Sequence, residues 1–435
     1  MKEFRLALGD SFQEFSYPEE DILEILEPGE FPSPEDEREL VKKALASPID
    51  SAPLSQLVKP GNKVCIIFSD ITRLWVRHHV FMPFILNELN GGGVKDEDIF
   101  ALCSTGDHRD CTGEESRELL GVEAYNRLKG RIYNHHARDP REIVHLGTTT
   151  FGTPVEINRK VMNADRVILT GGIVYHFLDG WGGGKKAIMP GVCSRASIMA
   201  NHSLALHPEW GKALDPTVCA GRMGENRLSK DSIEVASFVN PTFLLNVVIN
   251  TEHKIGAVVA GNWITAHEEG AEICKRHYGV PIKKLSDLTI ISCGGYPGDI
   301  DFYQAYKILY NADRATRSGG AIILLSECRE GMGNEDFYHM FTDYENNMER
   351  EIALRKEYTI GGHMAFHTAS MAEKFTIFTV SSLPDERVKH ASMTPVKTAQ
   401  EGIDKAKKIL GPHPLTYIIP HGHKIFPYFG QCDCP

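Results

Sequence analysis

The stretch Arg166–Lys186, RVILTGGIVYHFLDGWGGGKK, decides the fold class because a short apolar run, Arg166–Leu169, leads directly into a glycine-rich loop. The same order, an apolar run followed by a polar loop and a helical stretch, recurs along the chain. The other strands predicted in this way are Val64–Phe68, Ile99–Cys103, Leu288–Ser292 and Ala321–Leu325. Strands that alternate with helices are typical of parallel α/β architecture. We therefore predict an α/β fold with mainly parallel sheets.

The loops after the predicted strands are where a functional site is expected. In open parallel sheets, ligands bind outside the carboxyl ends of the strands. The loops to consider begin at Ser69, Ser104, Thr170, Cys293 and Ser326.

The chain is long enough for more than one hydrophobic core. With 435 residues, two α/β domains with an active-site cleft between them are expected. A hairpin over 244–259 and a helix over Ala266–Tyr278, ended by Gly279 and Pro281, indicate the boundary. We predict an N-terminal α/β domain over 1–278 that carries the glycine-rich loop, a C-terminal α/β domain over 279–400, and a segment over 401–435 that packs back on the N-terminal domain.

Composition excludes several classes of protein. Hydrophobic residues make up 42% and charged residues 24%, as in ordinary globular proteins, and no run approaches the roughly 20 apolar residues of a membrane span. The amino terminus lacks the pattern of a secretory signal, so a cytoplasmic protein is expected. A formal charge of −11 without Lys/Arg clusters argues against nucleic acid as a partner.

Cysteine usage predicts neither a disulfide framework nor a thiolate zinc site. The ten cysteines are scattered singly, apart from Cys432 and Cys434, and no CxxC pair occurs. Most of them are expected to be small buried hydrophobes.

The most informative segment is Thr170–His202, which combines glycines with titratable groups. The glycines Gly182, Gly183 and Gly184 permit positive φ and close approach of the backbone, so their N–H groups suit a phosphate, although the GxxxxGK[ST] spacing of a Walker loop is absent. A flexible surface loop with two solvated lysines is the alternative. The density of His176, Lys186 and His202 in one short region favours a site.

Three further clusters are candidates. SDITR at Ser69–Arg73 offers Asp70 and Arg73, which suit either a structural salt bridge or the binding of an anionic oxygen pair. STGDHR at Ser104–Arg109 offers His108, although an isolated histidine is more often a packed or surface residue.

The third cluster, YQAYK, lies in a helix predicted over Asp301–Asn311. Tyr303 and Lys307 are four residues apart and share a helix face, with Gln304 beside them. Such a pair is usually ordinary amphipathic packing.

Taken together, the order and spacing of SDITR, TGDHR, VYH, GGGKK with MPG, the later NH, and YQAYK resemble the nickel-dependent lactate racemase family. The motifs run from Asp70 to Lys307, and the most specific part extends from His176 through GGGKKAIMPG to His202. The resemblance implies a racemase or epimerase of a 2-hydroxy acid. It also implies nickel and a pyridinium-3,5-bisthiocarboxylic acid mononucleotide, the nickel-pincer nucleotide, attached covalently to a lysine.

The resemblance also implies roles for residues of this chain. Lys186 matches the tether, with Lys185 as the neighbouring alternative, and His202 matches the nickel ligand, which suits a neutral imidazole. His108 and His176 match an acid–base pair. The remaining matches are contacts to cofactor or substrate: Asp70 and Gly182, Gly183 and Gly184 for the cofactor, and Arg73, Tyr303, Gln304 and Lys307 for the substrate.

The reaction implied is a temporary oxidation through a 2-keto acid, with the Cα hydride passing to the cofactor and the hydroxyl proton to a histidine. Three features depart from the family pattern: LWVRHH follows SDITR, Gly221–Arg227 lacks the family's Asn-Pro form, and Asp107 precedes His108 in place of a small hydroxyl residue. They leave substrate identity open among lactate and larger acids such as malate or an aldonate. The roles of His78, His79, His363 and His367 are also open.

Partners and alternatives complete the prediction. The expected partners are a small 2-hydroxy acid and cofactor-maturation proteins; a homo-oligomer is left open. A histidine-ligated zinc or iron hydrolase is the weaker enzymatic alternative because no HExxH or comparable motif occurs. A nickel-cofactor storage protein without turnover is the alternative from another class.

Overall fold

The structure is a computed structural model that describes residues 1–31 and 33–429. Cys432 and Cys434 lie outside the described residues. The strands of the described chain are β1 Lys2–Leu8, β2 Ser11–Tyr17, β3 Ile22–Ile25, β4 Val64–Ser69, β5 Ile99–Ser104, β6 Ile132–Asn134, β7 Ile143–Thr148, β8 Pro154–Asn158, β9 Arg166–Gly172, β10 Tyr175–His176, β11 Gly180–Trp181, β12 Phe243–Ile249, β13 Ile255–Gly261, β14 Gly279–Ile282, β15 Ser286–Ser292, β16 Thr316–Leu325, β17 Thr376–Val380, β18 Thr394–Val396, β19 Thr416–Ile419 and β20 Phe426–Phe429.

The α-helices of the same residues are α1 Glu37–Ala46, α2 Leu54–Leu57, α3 His78–Gly91, α4 Gly113–Arg127, α5 Arg159–Met162, α6 Arg195–Ser203, α7 Arg227–Val239, α8 Thr265–Tyr278, α9 Phe302–Ala315, α10 Glu335–Thr342, α11 Asn347–Lys356, α12 Ile360–Lys374, α13 Asp385–His390 and α14 Ala399–Leu410. A short 3-10 turn over Ile71–Val76 follows the predicted strand β4, and another over Gly184–Ala187 lies within the glycine-rich loop. Among the described helices, none is long and apolar enough to cross a membrane.

The chain divides into two compact units. The larger unit contains Glu30–Ala205 and Thr217–His277, and the smaller unit contains Met1–Gly29, Leu206–Pro216 and the chain from Tyr278 onward. The sequence-based boundary near 279 lies beside the break at 277. The sequence-based limits placed the first 29 residues with the glycine-rich loop, whereas this division groups them with the smaller unit, where β3 pairs with β19.

The larger unit is built on a six-stranded sheet of order β13-β12-β9-β4-β5-β6. Every pair is parallel except β12 with β13, the antiparallel hairpin predicted over 244–259. The residues of β4 are almost all buried because the strand lies between β9 and β5 and has apolar residues on both faces. Phe68 of β4 packs in one core with Phe81 and Ile85 of α3.

The smaller unit has its own six-stranded sheet of order β18-β17-β16-β15-β19-β3, in which all pairs are parallel. Its core joins Leu6 and Tyr17 of the β1–β2 hairpin to Ile290 of β15 and Ile323 of β16. The prediction of two α/β domains with mainly parallel sheets is confirmed. The cleft between them stays a prediction.

Candidate active site

Three neighbouring strands of the larger sheet carry the candidate loops. Asp70 directly follows β4, His108 lies in the loop after β5, and His176 follows β9 by way of the short strand β10. Because β4 lies between β5 and β9, the three loops leave the same edge of the sheet side by side. The sheet order explains how side chains distant in sequence meet.

Asp70 and His108 form a hydrogen-bonded pair at this edge. The Nδ1 atom of His108 lies 2.8 Å from Oδ2 of Asp70, while Oδ1 of Asp70 accepts from the N–H and hydroxyl of Thr72. Burial acts to raise the pKa of Asp70, but the bonds from His108 and Thr72 outweigh it and lower that pKa. An ionised Asp70 fixes the His108 tautomer with hydrogen on Nδ1, which leaves Nε2 as a proton acceptor.

Arg73 lies on the 3-10 turn that Asp70 caps. Its Nη1 donates to Oγ1 of Thr72 at 2.9 Å, and its side chain is exposed. Among the described residues, Arg73 forms no ion pair with a carboxylate within 4 Å. The guanidinium is therefore available for an anionic ligand, for which its planar fork of donors is suited.

The ring of His176 is held in the opposite way to that of His108. Its Nδ1 accepts the backbone N–H groups of Leu178 at 3.3 Å and Asp179 at 3.1 Å. Burial, followed by the charge of Lys186, lowers the pKa of His176 well below its ordinary value. The neutral ring with an accepting Nδ1 carries its hydrogen on Nε2 and presents a donor there.

The glycine loop is clamped by two residues distant in sequence. The N–H of Gly184 donates to Oδ1 of Asn246 at 2.7 Å, and Nε2 of His267 donates to the carbonyl of Gly182 at 2.8 Å. A Cβ at Gly183 would lie 2.5 Å from Oδ1 of Asn246, and φ is +73° at this residue. Glycine is therefore required here by close packing and by a left-handed backbone.

The loop delivers both lysines to one buried carboxylate. The Nζ of Lys185 lies 3.4 Å from Oδ1 of Asp179, and the Nζ of Lys186 lies 3.8 Å from Oδ2. Asp179 and Lys185 are almost fully buried, whereas 17% of the Lys186 side chain is exposed. Burial, opposed by Asp179 and assisted by Lys185, lowers the pKa of Lys186 to about 8.

His202 is a buried, neutral histidine on α6. Burial, with a smaller effect of Lys186, lowers its pKa to about 3, and its Nδ1 has no hydrogen bond of normal geometry to a described residue. The preceding residue, Asn201, donates to Oδ2 of Asp231 at 2.8 Å, which also accepts from Thr153. This buried network fixes the helix that carries His202.

Backbone and charge contacts join the loops to each other. The N–H of Gly106 donates to the carbonyl of Gly191 at 3.0 Å, and the N–H of Gly191 donates to that of Lys186 at 3.1 Å. Asp107, which departs from the family pattern, accepts from Arg138 at 2.8 and 2.9 Å and is also paired with Arg195. It thus ties the His108 loop to the first residue of α6.

The other predicted site residues lie in the smaller unit. Tyr303, Gln304 and Lys307 are on α9, which begins after its cap Asp301 as predicted and runs four residues past Asn311. The Nζ of Lys307 lies 2.5 Å from Oε1 of Gln304. The larger unit therefore brings together the histidines, both lysines, Asp70 and Arg73, and the roles of these and the α9 residues stay predictions.

Sequence reasoning missed Asp179, Asn246 and His267. Asp179 stands inside the segment already singled out, and a carboxylate six residues before two lysines was the available signal. Asn246 on β12 and His267 on α8 have no local signal, because only the sheet order brings them to the loop.

An open cavity of about 660 Å³ in the larger unit lies beside Trp181. Its lining includes Glu268, Glu269 and Glu272, and none of the predicted site residues. An acidic lining repels a carboxylate ligand, so this cavity does not compete with the strand-end site for an anionic substrate.

Buried neutral histidines make the stability of the larger unit depend on pH. Burial lowers the pKa of His78 to about 3, below the unfolded value near 6.5, so the unfolded chain binds the proton first on acidification. Stability is therefore full above about pH 6.5 and falls by about 1.4 kcal/mol per pH unit below it for this histidine. We expect His78→Phe, whose ring fits beside Phe68 and Phe81, to remove the contribution of His78 to the pH dependence of stability.

Urea unfolding of the apoprotein at pH 7, 6 and 5 measures the effect. His145, whose side chain is 58% exposed, gives the matched control His145→Phe, in which the pH slope stays that of the parent. An unchanged slope in His78→Phe would contradict the assignment.

Comparison with known proteins identifies the family. The sequence model of the lactate racemase N-terminal domain matches residues 8–213, and that of the lactate racemase C-terminal domain matches residues 282–426. A lactate racemase of Thermoanaerobacterium thermosaccharolyticum is 31% identical over 97% of this chain and 98% of its own. A lactate racemase of Lactiplantibacillus plantarum is 31% identical over 89% of this chain and 90% of its own.

Solved structures agree with this family assignment. The lactate racemase apoprotein from Thermoanaerobacterium thermosaccharolyticum superposes with a TM-score of 0.88 at 30% identity and covers 98% of this chain and 100% of its own. A Thermotoga maritima protein shares the fold, with a TM-score of 0.62 at 18% identity; the match covers 91% of this chain and 98% of its own. The fold and these relatives together define an α/β isomerase. The chain belongs to the lactate racemase family.

Proposed function

We propose that this chain is a racemase or epimerase of a 2-hydroxy acid, with lactate as the first candidate, and that it works with a lysine-tethered nickel-pincer nucleotide. The observation that carries the proposal is the grouping, in one unit, of a carboxylate-paired His108, a neutral His176, a buried His202 and a partly exposed Lys186. A purely structural loop has no need for this set of groups.

The residues present fit the cofactor. His202 is neutral, as a metal ligand must be, and has a buried ring nitrogen without a normal hydrogen bond. No cluster of three or more metal-ligating side chains occurs among the described residues, and a pincer nucleotide that brings three donors needs one protein ligand. Lys186 would hold the nucleotide and His202 the nickel. When bound, the group supplies an acceptor and donor for the substrate Cα hydride.

His108 is proposed to take the hydroxyl proton of the substrate. With Nδ1–H directed at Asp70, its Nε2 has a lone pair available, and the imidazolium that forms is stabilised by the carboxylate 2.8 Å away. Asp70 thereby sets both the tautomer and the orientation of this base.

His176 is proposed to face the hydroxyl of the opposite enantiomer. Its Nε2–H is free to donate to a substrate oxygen, because the backbone N–H groups of Leu178 and Asp179 occupy Nδ1. Acting as a base from Nε2 requires the other tautomer, so proton transfer at His176 is coupled to release of these two backbone bonds.

Arg73 is proposed to bind the substrate carboxylate. Its position next to the Asp70–Thr72 pair puts a fixed positive charge beside His108, and a bidentate bond would orient the Cα hydrogen. Gln304 and Lys307 on α9, together with Tyr303, are proposed as further substrate contacts. Maturation proteins as partners and a cytoplasmic location belong to the same proposal.

Turnover in ²H₂O tests the reaction. The protein, produced with its own maturation enzymes, is given L-lactate or D-lactate separately, and we expect each to become the racemate with its Cα hydrogen retained. Deuterium at Cα would instead show proton abstraction from carbon. Absence of turnover on lactate, malate and aldonates, with nickel and adduct present, would support a storage protein.

A further inference from the structure

One buried carboxylate of the larger unit faces two ammonium groups. Lys185 Nζ lies 3.4 Å from Oδ1 of Asp179 and also 3.4 Å from the Asp179 carbonyl oxygen, whereas Lys186 Nζ lies 3.8 Å from Oδ2. A single carboxylate balances one positive charge, and an uncompensated charge in a buried site is costly. One of the two lysines must therefore give up its proton more readily than an ordinary lysine.

Geometry selects Lys186 for this role. Lys185 has the shorter contact, a second oxygen and a side chain that is only 2% exposed, so it holds the ion pair. Lys186 has the longer contact and the more exposed side chain. Arg73, His176, His202 and His267 also act electrostatically on these lysines among the described residues; none of the four is negative, so none favours the protonated amine.

We infer that Lys185, which holds the ion pair with Asp179, is a positioning residue that makes Lys186 give up its proton more readily, so that Lys186 and not Lys185 is the nucleophilic amine that is acylated. The inference rests on the proposed function only in naming the natural acyl donor, a thiocarboxyl group of a pyridinium nucleotide. The lowered pKa of Lys186 agrees with the geometry.

The covalent step needs no oxidant. In the acid form of the group, C(=S)OH, the Nζ lone pair of Lys186 forms a bond to the thiocarboxyl carbon and the C–O bond breaks. Nζ loses one proton in forming the thioamide; Asp179, 3.8 Å away, accepts this proton and passes it to the departing hydroxyl, which leaves as water. With a carboxylic anhydride the same bond to Nζ forms, and a carboxylate leaves.

Trace labelling of the apoprotein with acetic anhydride across pH 6.5 to 10, read by peptide mass spectrometry, measures the apparent pKa of each lysine. We expect Lys186 to titrate well below Lys212 and Lys254, whose side chains are half exposed, and Lys185 to stay unlabelled. An ordinary pKa for Lys186 would overturn the inference.

Two substitutions should shift the reactivity of Lys186 in opposite directions. Lys185→Met leaves Asp179 to pair with Lys186, so the apparent pKa of Lys186 rises and its labelling at neutral pH falls about tenfold per unit. Asp179→Asn removes the carboxylate that faces both lysines, so the pKa of Lys186 falls further. Lys185→Arg keeps the charge and serves as the matched control, with a pKa close to that of the parent.

These outcomes separate the inference from the proposed tether. General damage to the fold would change the apparent pKa of Lys186 in the same direction in Lys185→Met and Asp179→Asn. If that pKa changed equally in Lys185→Met and Lys185→Arg, the charge argument would be overturned. If Asp179→Asn does not fold, the comparison of Lys185→Met with Lys185→Arg still tests the inference. A reactive Lys186 in a protein that never acquires the nucleotide would refute only the tether.

Discussion

Replacing Lys186 by alanine should abolish the covalent adduct on a chain produced with active maturation enzymes, and with it racemisation. Lys186 is the amine of the glycine loop that solvent reaches, since 17% of its side chain is exposed against 2% for Lys185. Without that amine no bond can form to the nucleotide. Intact mass, nickel content and peptide mapping of 185–186 measure the loss.

Lys186→Arg is the control for a long basic side chain at this position. Arginine stays protonated, so it cannot be acylated. We expect the adduct to be absent from this variant too. An adduct that persists in Lys186→Ala would move the tether to Lys185 or refute the assignment.

The lysine pair shows what the sequence can predict and what it cannot. Both lysines stand in one short segment, and their spacing from the histidines made Lys186 the candidate. The sequence does not show why the two lysines differ in reactivity. That difference depends on the burial of Asp179 and on its shorter contact with Lys185 than with Lys186. Burial and distance are properties of the packed chain.

The strands were predictable for a simple physical reason. Val64–Phe68 and Ile99–Cys103 are unbroken apolar runs because strands inside a parallel sheet are buried on both faces, and each was placed to within one residue. The β1–β2 hairpin was missed, although alternating apolar residues flank a turn at Gly9, where φ is +56°.

Pairings between distant segments could not be predicted. β3 lies beside β19 almost 400 residues later, and no local pattern encodes that register. The same holds for the clamp on the glycine loop, in which Asn246 and His267 arrive from β12 and α8. His108 and His176 were found because each lies in a loop after its own predicted strand, whereas the contact of His108 with Asp70 requires the sheet order.

Replacing His108 by alanine should lower racemisation by about 10²- to 10⁴-fold, the usual contribution of a positioned acid–base group, while adduct and nickel stay in place. His108→Gln separates catalysis from structure. Its amide can still donate to Asp70, but it has no nitrogen that takes up a proton, so it should be as inactive as the alanine variant. Recovery of activity in His108→Gln would reduce His108 to a structural role.

His176→Ala should cause a loss of similar size, since inversion needs a proton-handling group for each orientation of the hydroxyl. His145→Ala, an exposed histidine of the same unit, should retain full activity. Because the two enantiomers of lactate have equal free energy in water, kcat/KM must fall by the same factor in both directions for every variant. Equal losses from L- and D-lactate therefore validate the assay, and undiminished turnover in His176→Ala would exclude its acid–base role.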